Sequence, residues 1–355
     1  MSKVAPLLHG AQRGRERVAL AGGRALDVAL GMLLSLCVIW WVAALYYAGP
    51  RPLALSLGIA AAYALGAGVL FWRLPAIVER LAVVAAAALL PLAWWVSLEP
   101  SNDRDWAPEV SRLPWFEVEG SRLTAHDLRD FHYRSENDFD ARWIERSYDL
   151  DALEGVDIFL SYWGSPAIAH TILSWDFAGS PPLAVSIETR KSKGESYSTL
   201  AGFFKQYELI YIAADERDVI QLRTTYRGET VYIYRTAIPL ERARALLLDY
   251  IAAMNRLRSE PRFYNALLHN CTTSIVIHAR HVAERRNPLD WRMVVNGYSD
   301  AMMYERGLLD RSLPFEGLRG LSEINARARA GGDQAEFSRL IRVGLPDPRG
   351  PARAP

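Results

Sequence analysis

The chain has 355 residues, with 41 Lys and Arg against 40 Asp and Glu, a formal net charge of +1 and two cysteines. No basic excess is left for a dedicated nucleic-acid binder, and two cysteines exclude a disulfide-stapled scaffold or a Cys-rich zinc module. Only 12 of the charged side chains fall in the first 100 residues, so the chain reads as a membrane part followed by a water-soluble part large enough to bury a core.

Residues 28–48, 52–72 and 81–98 contain no Asp, Glu, Lys or Arg. At about 1.5 Å per residue each reaches roughly 27–31 Å, enough to cross a hydrocarbon core of about 30 Å. Trp40, Trp41, Tyr46, Tyr47, Phe71, Trp72, Trp94 and Trp95 cluster at the segment ends, where aromatic rings anchor at a bilayer interface. Lys3, Arg13, Arg15, Arg17 and Arg24 precede the first segment, and Arg73 and Arg80 lie between the second and third. The first connection carries only Arg51, and the stretch after residue 98 is mainly acidic (Glu99, Asp103, Asp105, Glu109). Basic residues favour the inner side. Residues 1–27 therefore read as a cytoplasmic basic N-terminus and 28–98 as three transmembrane helices of an inner (plasma) membrane protein. Everything beyond is expected to be extracytoplasmic.

Residues 99–129 read as a polar juxtamembrane connection and 130–325 as an α+β domain with an antiparallel sheet. Strand-like runs occur at 156–162, 168–177, 183–189, 208–213 and 230–236. Gly179-Ser180-Pro181-Pro182 makes a turn between the second and third, and Asp215 is placed to cap a short helix. Leu240, Ala243, Leu247, Tyr250, Ile251 and Met254 repeat with a helical period over 240–258, and a further helix is expected from near Cys271 to about 283. Residues 326–355 read as a C-terminal extension, partly disordered in its Pro/Gly/Arg tail.

Cys37 is mid-membrane and Cys271 lies in the outer domain, so they cannot pair, and Cys271 is an unpaired thiol in an oxidising compartment. Asn270-Cys271-Thr272-Thr273 leaves a turn-like run and enters a helical pattern. Free N–H groups and the helix dipole there favour a thiolate and can hold an oxyanion. This makes Cys271 a candidate nucleophile, against the simpler reading of an inert buried cysteine. A nucleophile needs a base. His278 shares its helix face but sits about 10 Å along it, and His269 points elsewhere. His278 and His281 are spaced i,i+3, yet no carboxylate or third ligand accompanies them at metal-site spacing, so neither metal nor cofactor is expected. His170 interrupts the apolar run Ala167-Ile168-Ala169-His170-Thr171-Ile172-Leu173. It is either a satisfied core histidine or the strand-borne partner of a helix-borne cysteine. Glu188, opposite His170 across the hairpin, is the candidate to orient the imidazole. A one-residue slip in register would turn it away, leaving a salt bridge to Arg190 or Lys191.

Phe159-Leu160-Ser161-Tyr162-Trp163-Gly164-Ser165-Pro166, His170, Ser186-Ile187-Glu188-Thr189-Arg190-Lys191, Tyr207-Glu208-Leu209-Ile210-Tyr211 and Asn270-Cys271-Thr272-Thr273 together resemble the periplasmic domain of the Lnb-type lipoprotein N-acyltransferases. The likeness covers about residues 130–325. It implies a circularly permuted papain-like (NlpC-type) fold, in which the histidine strand precedes the cysteine helix. It maps the family's catalytic histidine and cysteine onto His170 and Cys271, and its motifs nominate Tyr162, Trp163, Asn270 and Thr272 as substrate-binding. The implied chemistry is acyl transfer through a cysteine thioester, from a phospholipid to the α-amino group of a lipoprotein's lipidated N-terminal cysteine. In those enzymes the periplasmic domain precedes the membrane helices; here three apolar segments come first. The readings that follow are a membrane-anchored thiol acyltransferase acting on a phospholipid donor and a lipoprotein or other envelope amine, a papain-like peptidase or amidase acting on cell-envelope peptides, and a non-catalytic membrane module. The nucleophile and base are common to the first two.

Overall fold

Residue types that favour helices and strands are separated along this chain. A computed structural model describes residues 5–50, 52–266, 270–283, 290–293, 295–331 and 336–350, and of residues 5–24 and 77 the backbone alone. It divides into two compact units, Met1–Glu99 with Phe204–Gln206, and Pro100–Phe203 with Tyr207–Pro355.

In the first unit the Ala- and Leu-rich sequence forms α1 (Ala5–Ala48), α2 (Leu53–Arg73) and α3 (Ile77–Ser97). The parts long and apolar enough to cross a membrane are Ala25–Ala48, Leu53–Arg73 and Val78–Ser97. Leu34, Ala67 and Val84 are buried where the helices meet, with Val38, Phe71 and Ala87 against them. The Tyr63 hydroxyl donates to the Ala87 carbonyl at 2.8 Å, satisfying a polar group within this apolar bundle. Leu36, Leu65 and Leu90 face outward, an arrangement costly in water and favourable in hydrocarbon.

The second unit contains β1 (Trp115–Glu119), β2 (Arg122–Arg129), β3 (His132–Tyr133), β4 (Phe139–Asp140), β5 (Trp143–Asp149), β6 (Leu153–Tyr162), β7 (Ala169–Phe177), β8 (Ser180–Arg190), β9 (Glu208–Asp215) and β10 (Thr230–Arg235). Its helices are α4 (Glu216–Gln221), α5 (Leu240–Ser259), α6 (Cys271–His281), α7 (Ser299–Glu305), α8 (Phe315–Ser322), α9 (Asn325–Gly331) and α10 (Phe337–Ile341). The main sheet runs β1-β2-β9-β8-β7-β6-β10, with β5 also on β2 and β3–β4 a separate pair. All pairings are antiparallel except β2 with β9, through Arg129 and Ala214. This is a mixed α/β domain with a mostly antiparallel sheet.

Alternation along β7 sends His170, Ile172 and Ser174 to one face of the sheet and Thr171, Leu173 and Trp175 to the other. On the first face Ile172 joins Phe159, Ile210 and Val231 in a core closed by Val219 and Ile220 of α4, Ala328 of α9, and Phe337 and Ile341 of α10. On the second, the Trp175 indole donates to the Ala243 carbonyl of α5 at 3.0 Å, and Tyr211 meets His278 of α6. The site residues are therefore set by a sheet covered on both faces.

The structure departs from the sequence expectation in three places. Much of the stretch read as a connection belongs to the sheet, as β1 and β2. Its alternation is broken where Asp127 adopts φ 53° and the β2–β5 register shifts between Ala125 and Leu128, which hides the period-2 signal. The β7–β8 turn is tighter than expected, since Phe177 already pairs with Ser180 around Gly179 (φ 76°), and Pro181 and Pro182 lie within β8. Finally, the C-terminal extension packs into the domain: Phe337, Ile341 and Leu345 are core residues. Arg342 binds Asp157 at 2.8 Å and Glu216 at 2.6 Å.

Candidate active site

β7 pairs with β8 only as far as Ile172 opposite Ser186. Beyond that point β7 stays on β6 through Ala169, and β8 stays on β9 through Arg190. The two strands separate and leave a notch at the end of the sheet. Cys271 is the first residue of α6 because Asn270 caps that helix. The Asn270 side chain accepts from the Thr273 N–H at 2.8 Å, and the Thr273 hydroxyl accepts from the Asn270 N–H at 3.0 Å. The sulfur is half-buried, with the Thr272 hydroxyl at 3.8 Å and the Thr171 backbone N–H of β7 on the side that favours its charged form. His170 is the residue before Thr171. The polar contacts of the sulfur do not include the imidazole itself.

The imidazole is buried and its Nε2 lies 2.7 Å from Ser186 Oγ, which in turn donates to Glu188 Oε1 at 2.7 Å. Glu188 is thus on the His170 side of the hairpin, 3.7 Å from Nε2. Arg223 donates to Glu188 at 2.9 Å and to Glu229 at 3.0 Å, and Ser161 Oγ donates to Glu229. Ser161 is the cross-strand partner of His170, so the hydrogen-bonded chain returns to its starting point on the sheet. Arg223 reaches this position from a π turn, Leu222–Tyr226, that extends α4.

Asn296 joins the strand start to the helix start. Its Oδ1 accepts from the Ala169 N–H at 3.0 Å, and its Nδ2 donates to the Ala169 carbonyl and to the Thr272 hydroxyl. Next to it, the Gly297 N–H donates to the Ala167 carbonyl at 3.0 Å, and a Cβ there would sit 2.1 Å from the Pro166 carbonyl oxygen. Only glycine permits that approach. The Tyr162 hydroxyl donates to the Gly297 carbonyl at 2.7 Å.

Of the nominated substrate-binding residues, Tyr162, Asn270 and Thr272 are therefore tied into the scaffold, while Trp163 is 45% exposed at the mouth of the loop before β7. Ser161, Ser186, Arg223, Glu229 and Asn296 were not anticipated. Ser161 and Ser186 carried the same signal as His170, a polar residue inside an apolar strand run; Asn296 lies in a stretch without periodicity. His269 lies outside the described residues.

Burial pushes the Cys271 thiol above its ordinary value; the Thr171 and Thr272 hydrogen bonds oppose this without reversing it. The sequence expectation of a thiol already ionised by the helix N-terminus is corrected, because loss of hydration outweighs the dipole. Burial, then Arg223, pushes the His170 imidazole down to about 3. Burial alone would raise Glu188, but Arg223 first, then His170 and Arg227, hold it well below the carboxylate range. The resting site is a neutral thiol and a neutral imidazole beside the paired side chains of Glu188, Arg223 and Glu229.

His278 and His281 do have a carboxylate neighbour, contrary to the sequence reading: Asp249 of α5, far away in sequence. Asp249 Oδ2 lies 2.6 Å from His278 Nδ1 and 3.0 Å from His281 Nδ1, and His278 Nε2 lies 2.6 Å from the Tyr211 hydroxyl. Among the described residues this trio could take a cation. As it stands each group satisfies another, and the trio ties α6 to α5 and the sheet.

Three long apolar helices followed by a mixed α/β domain define a membrane-anchored protein whose candidate site residues, His170, Glu188 and Cys271, lie in the second unit. Residues 139–297 match the family model of the Lnb N-terminal periplasmic domain, and the chain carries that domain. The matched stretch runs from the first residue of β4 to Gly297 and contains His170, Glu188, Cys271 and Asn296. No curated protein and no solved structure matches the chain.

Proposed function

We propose that this protein is a membrane-anchored, cysteine-dependent acyltransferase that moves a fatty acyl group from a phospholipid to the amino group of a lipoprotein. The observation that carries the reading is the notch. There Cys271 opens α6 beside the part of β7 that has left β8, and Ser186, itself bonded to Glu188, holds the imidazole of His170 on that strand. In the first half-reaction the imidazole takes the thiol proton as sulfur attacks the ester carbonyl. A C–S bond forms, the C–O bond breaks, and the proton passes to the departing lysophospholipid oxygen. In the second, an amine attacks the thioester. A C–N bond forms, the C–S bond breaks, and the amine proton returns to sulfur by way of His170. Backbone N–H groups at the start of α6 face the carbonyl oxygen as it gains charge. No metal or cofactor takes part in this scheme. Trp163 supplies exposed apolar surface beside the site, and three apolar helices keep the catalyst at the bilayer, where acyl donors reside.

The test follows label from an acyl-labelled phospholipid onto the protein and onto a lipoprotein acceptor, with mass spectrometry of the Cys271 peptide. Wild type should carry a fatty acyl mass on Cys271 and pass it on. Cys271→Ser should leave at most a trace, and His170→Ala should lose roughly 10²–10⁴-fold in rate while remaining folded. Full acceptor labelling by Cys271→Ser would refute the thioester route. Cleavage of envelope peptides with no acyl mass on Cys271 and no acceptor labelling would instead make the protein a papain-like peptidase or amidase.

A further inference from the structure

We propose that Ser186 is a positioning residue that fixes which nitrogen of His170 carries the proton. It relays the fixed charge of Glu188 so that Nε2 is protonated and Nδ1 is left bare as the proton acceptor. The inference deepens the acyltransferase reading and rests on it for the role of the bare nitrogen.

The argument is a count of hydrogens along one chain of contacts. Glu188 Oε1 accepts from Arg223 at 2.9 Å, and an ionised carboxylate beside a guanidinium has no proton to give. The Ser186 hydroxyl, 2.7 Å from the same oxygen, must therefore donate to it. A hydroxyl has one hydrogen. Having spent it on Glu188, Ser186 can only accept from His170, whose Nε2 lies 2.7 Å away. The reverse arrangement, with the hydroxyl donating to Nε2, would set two lone-pair acceptors 2.7 Å apart at Ser186 and Glu188 with no hydrogen between them. Ser186 is fully buried, so water is not at hand to resolve such a clash.

The remaining members hold the chain in this direction. Arg223 stays charged, since it also donates to Glu229 at 3.0 Å. Ser161 donates to Glu229 and lies opposite His170 across the β6–β7 ladder. The His170 ring is thus gripped on its Nε2 edge by a polar chain anchored to β6, β8 and the π turn after α4. Glu188 acts at a distance through the serine rather than by a direct bond, its nearest oxygen being 3.7 Å from Nε2.

The experiment uses the full chain in detergent micelles with 15N-labelled histidine, the His170 signals being assigned by their loss in His170→Gln. At neutral pH the wild-type protein should show a protonated Nε2 and a bare Nδ1. A proton on Nδ1, or a rapid mixture of both forms, would overturn the proposal without need of any further variant. Ser186→Ala, checked for fold by circular dichroism, should turn the single form into a mixture. It should also slow transfer of label from an acyl-labelled phospholipid about tenfold. An unmixed His170 in Ser186→Ala would overturn the relay. If instead acyl transfer is indifferent to His170→Gln, the dyad is at fault, and the tautomer spectrum still decides the role of Ser186.

Discussion

A thiol at the first turn of a helix feels two opposing influences. Oriented N–H groups stabilise the thiolate, and removal from water destabilises it. At Cys271 burial prevails, and at His170 burial and Arg223 keep the ring neutral down to about 3. The pair therefore does not rest as a thiolate–imidazolium couple. The thiolate fraction, and with it the alkylation rate of Cys271, should rise with pH through the neutral range with a slope near one in log units. No plateau should occur until beyond the ordinary thiol range. Measuring iodoacetamide kinetics against pH in Cys37→Ala checks this, and a plateau reached by pH 7 would show a preformed ion pair. Cys271, His170 and Glu188 could be singled out as candidates in the sequence because each stands out from its local pattern. Their protonation could not be read there, because it depends on how much water the fold removes and on Arg223, which lies on a different element.

The helices and central strands of the outer unit follow their local chemistry closely. Asp215 caps α4 by accepting from the Arg217 N–H, and α5 buries the periodic residues Ala243, Leu247, Tyr250, Ile251 and Met254. The edge elements were less legible. β1 and β2 lie at one end of the main sheet, with a bulge and a positive φ where a clean alternation would be, and α9 and α10 are too short for a helical period to show. The C-terminal elements nonetheless hold the domain together. Arg342 neutralises Asp157 on β6 and Glu216 on α4, and neither carboxylate is exposed. Removing one partner of a buried ion pair typically costs about 3–5 kcal/mol. Arg342→Ala should lose about that much in denaturant unfolding of the full chain, whereas Arg339→Ala, whose pairing with Glu336 is exposed, should lose less than about 1 kcal/mol. Equal effects of the two would show that the C-terminal segment is not part of the core.

The asymmetry of basic residues supports a topology with the N-terminus in the cytoplasm and residues 99–355 outside. A phosphatase that is active only outside the cytoplasm, fused after residue 355, should be active; a stably expressed but inactive fusion would reverse the orientation. This arrangement bears on how the protein is made. Phe337, Ile341 and Leu345 close the same core as Phe159, Ile172 and Val231, so the strand that carries His170 has an open flank until residues 337–345 are delivered. With that topology the second unit crosses the membrane unfolded and is closed only when residues 337–345 arrive, Asp157 and Glu216 lacking Arg342 until then. A nascent chain released early would present that flank to envelope proteases. A chain cut back before residue 337 should therefore lack the cover that the full chain gives this face of the His170 strand.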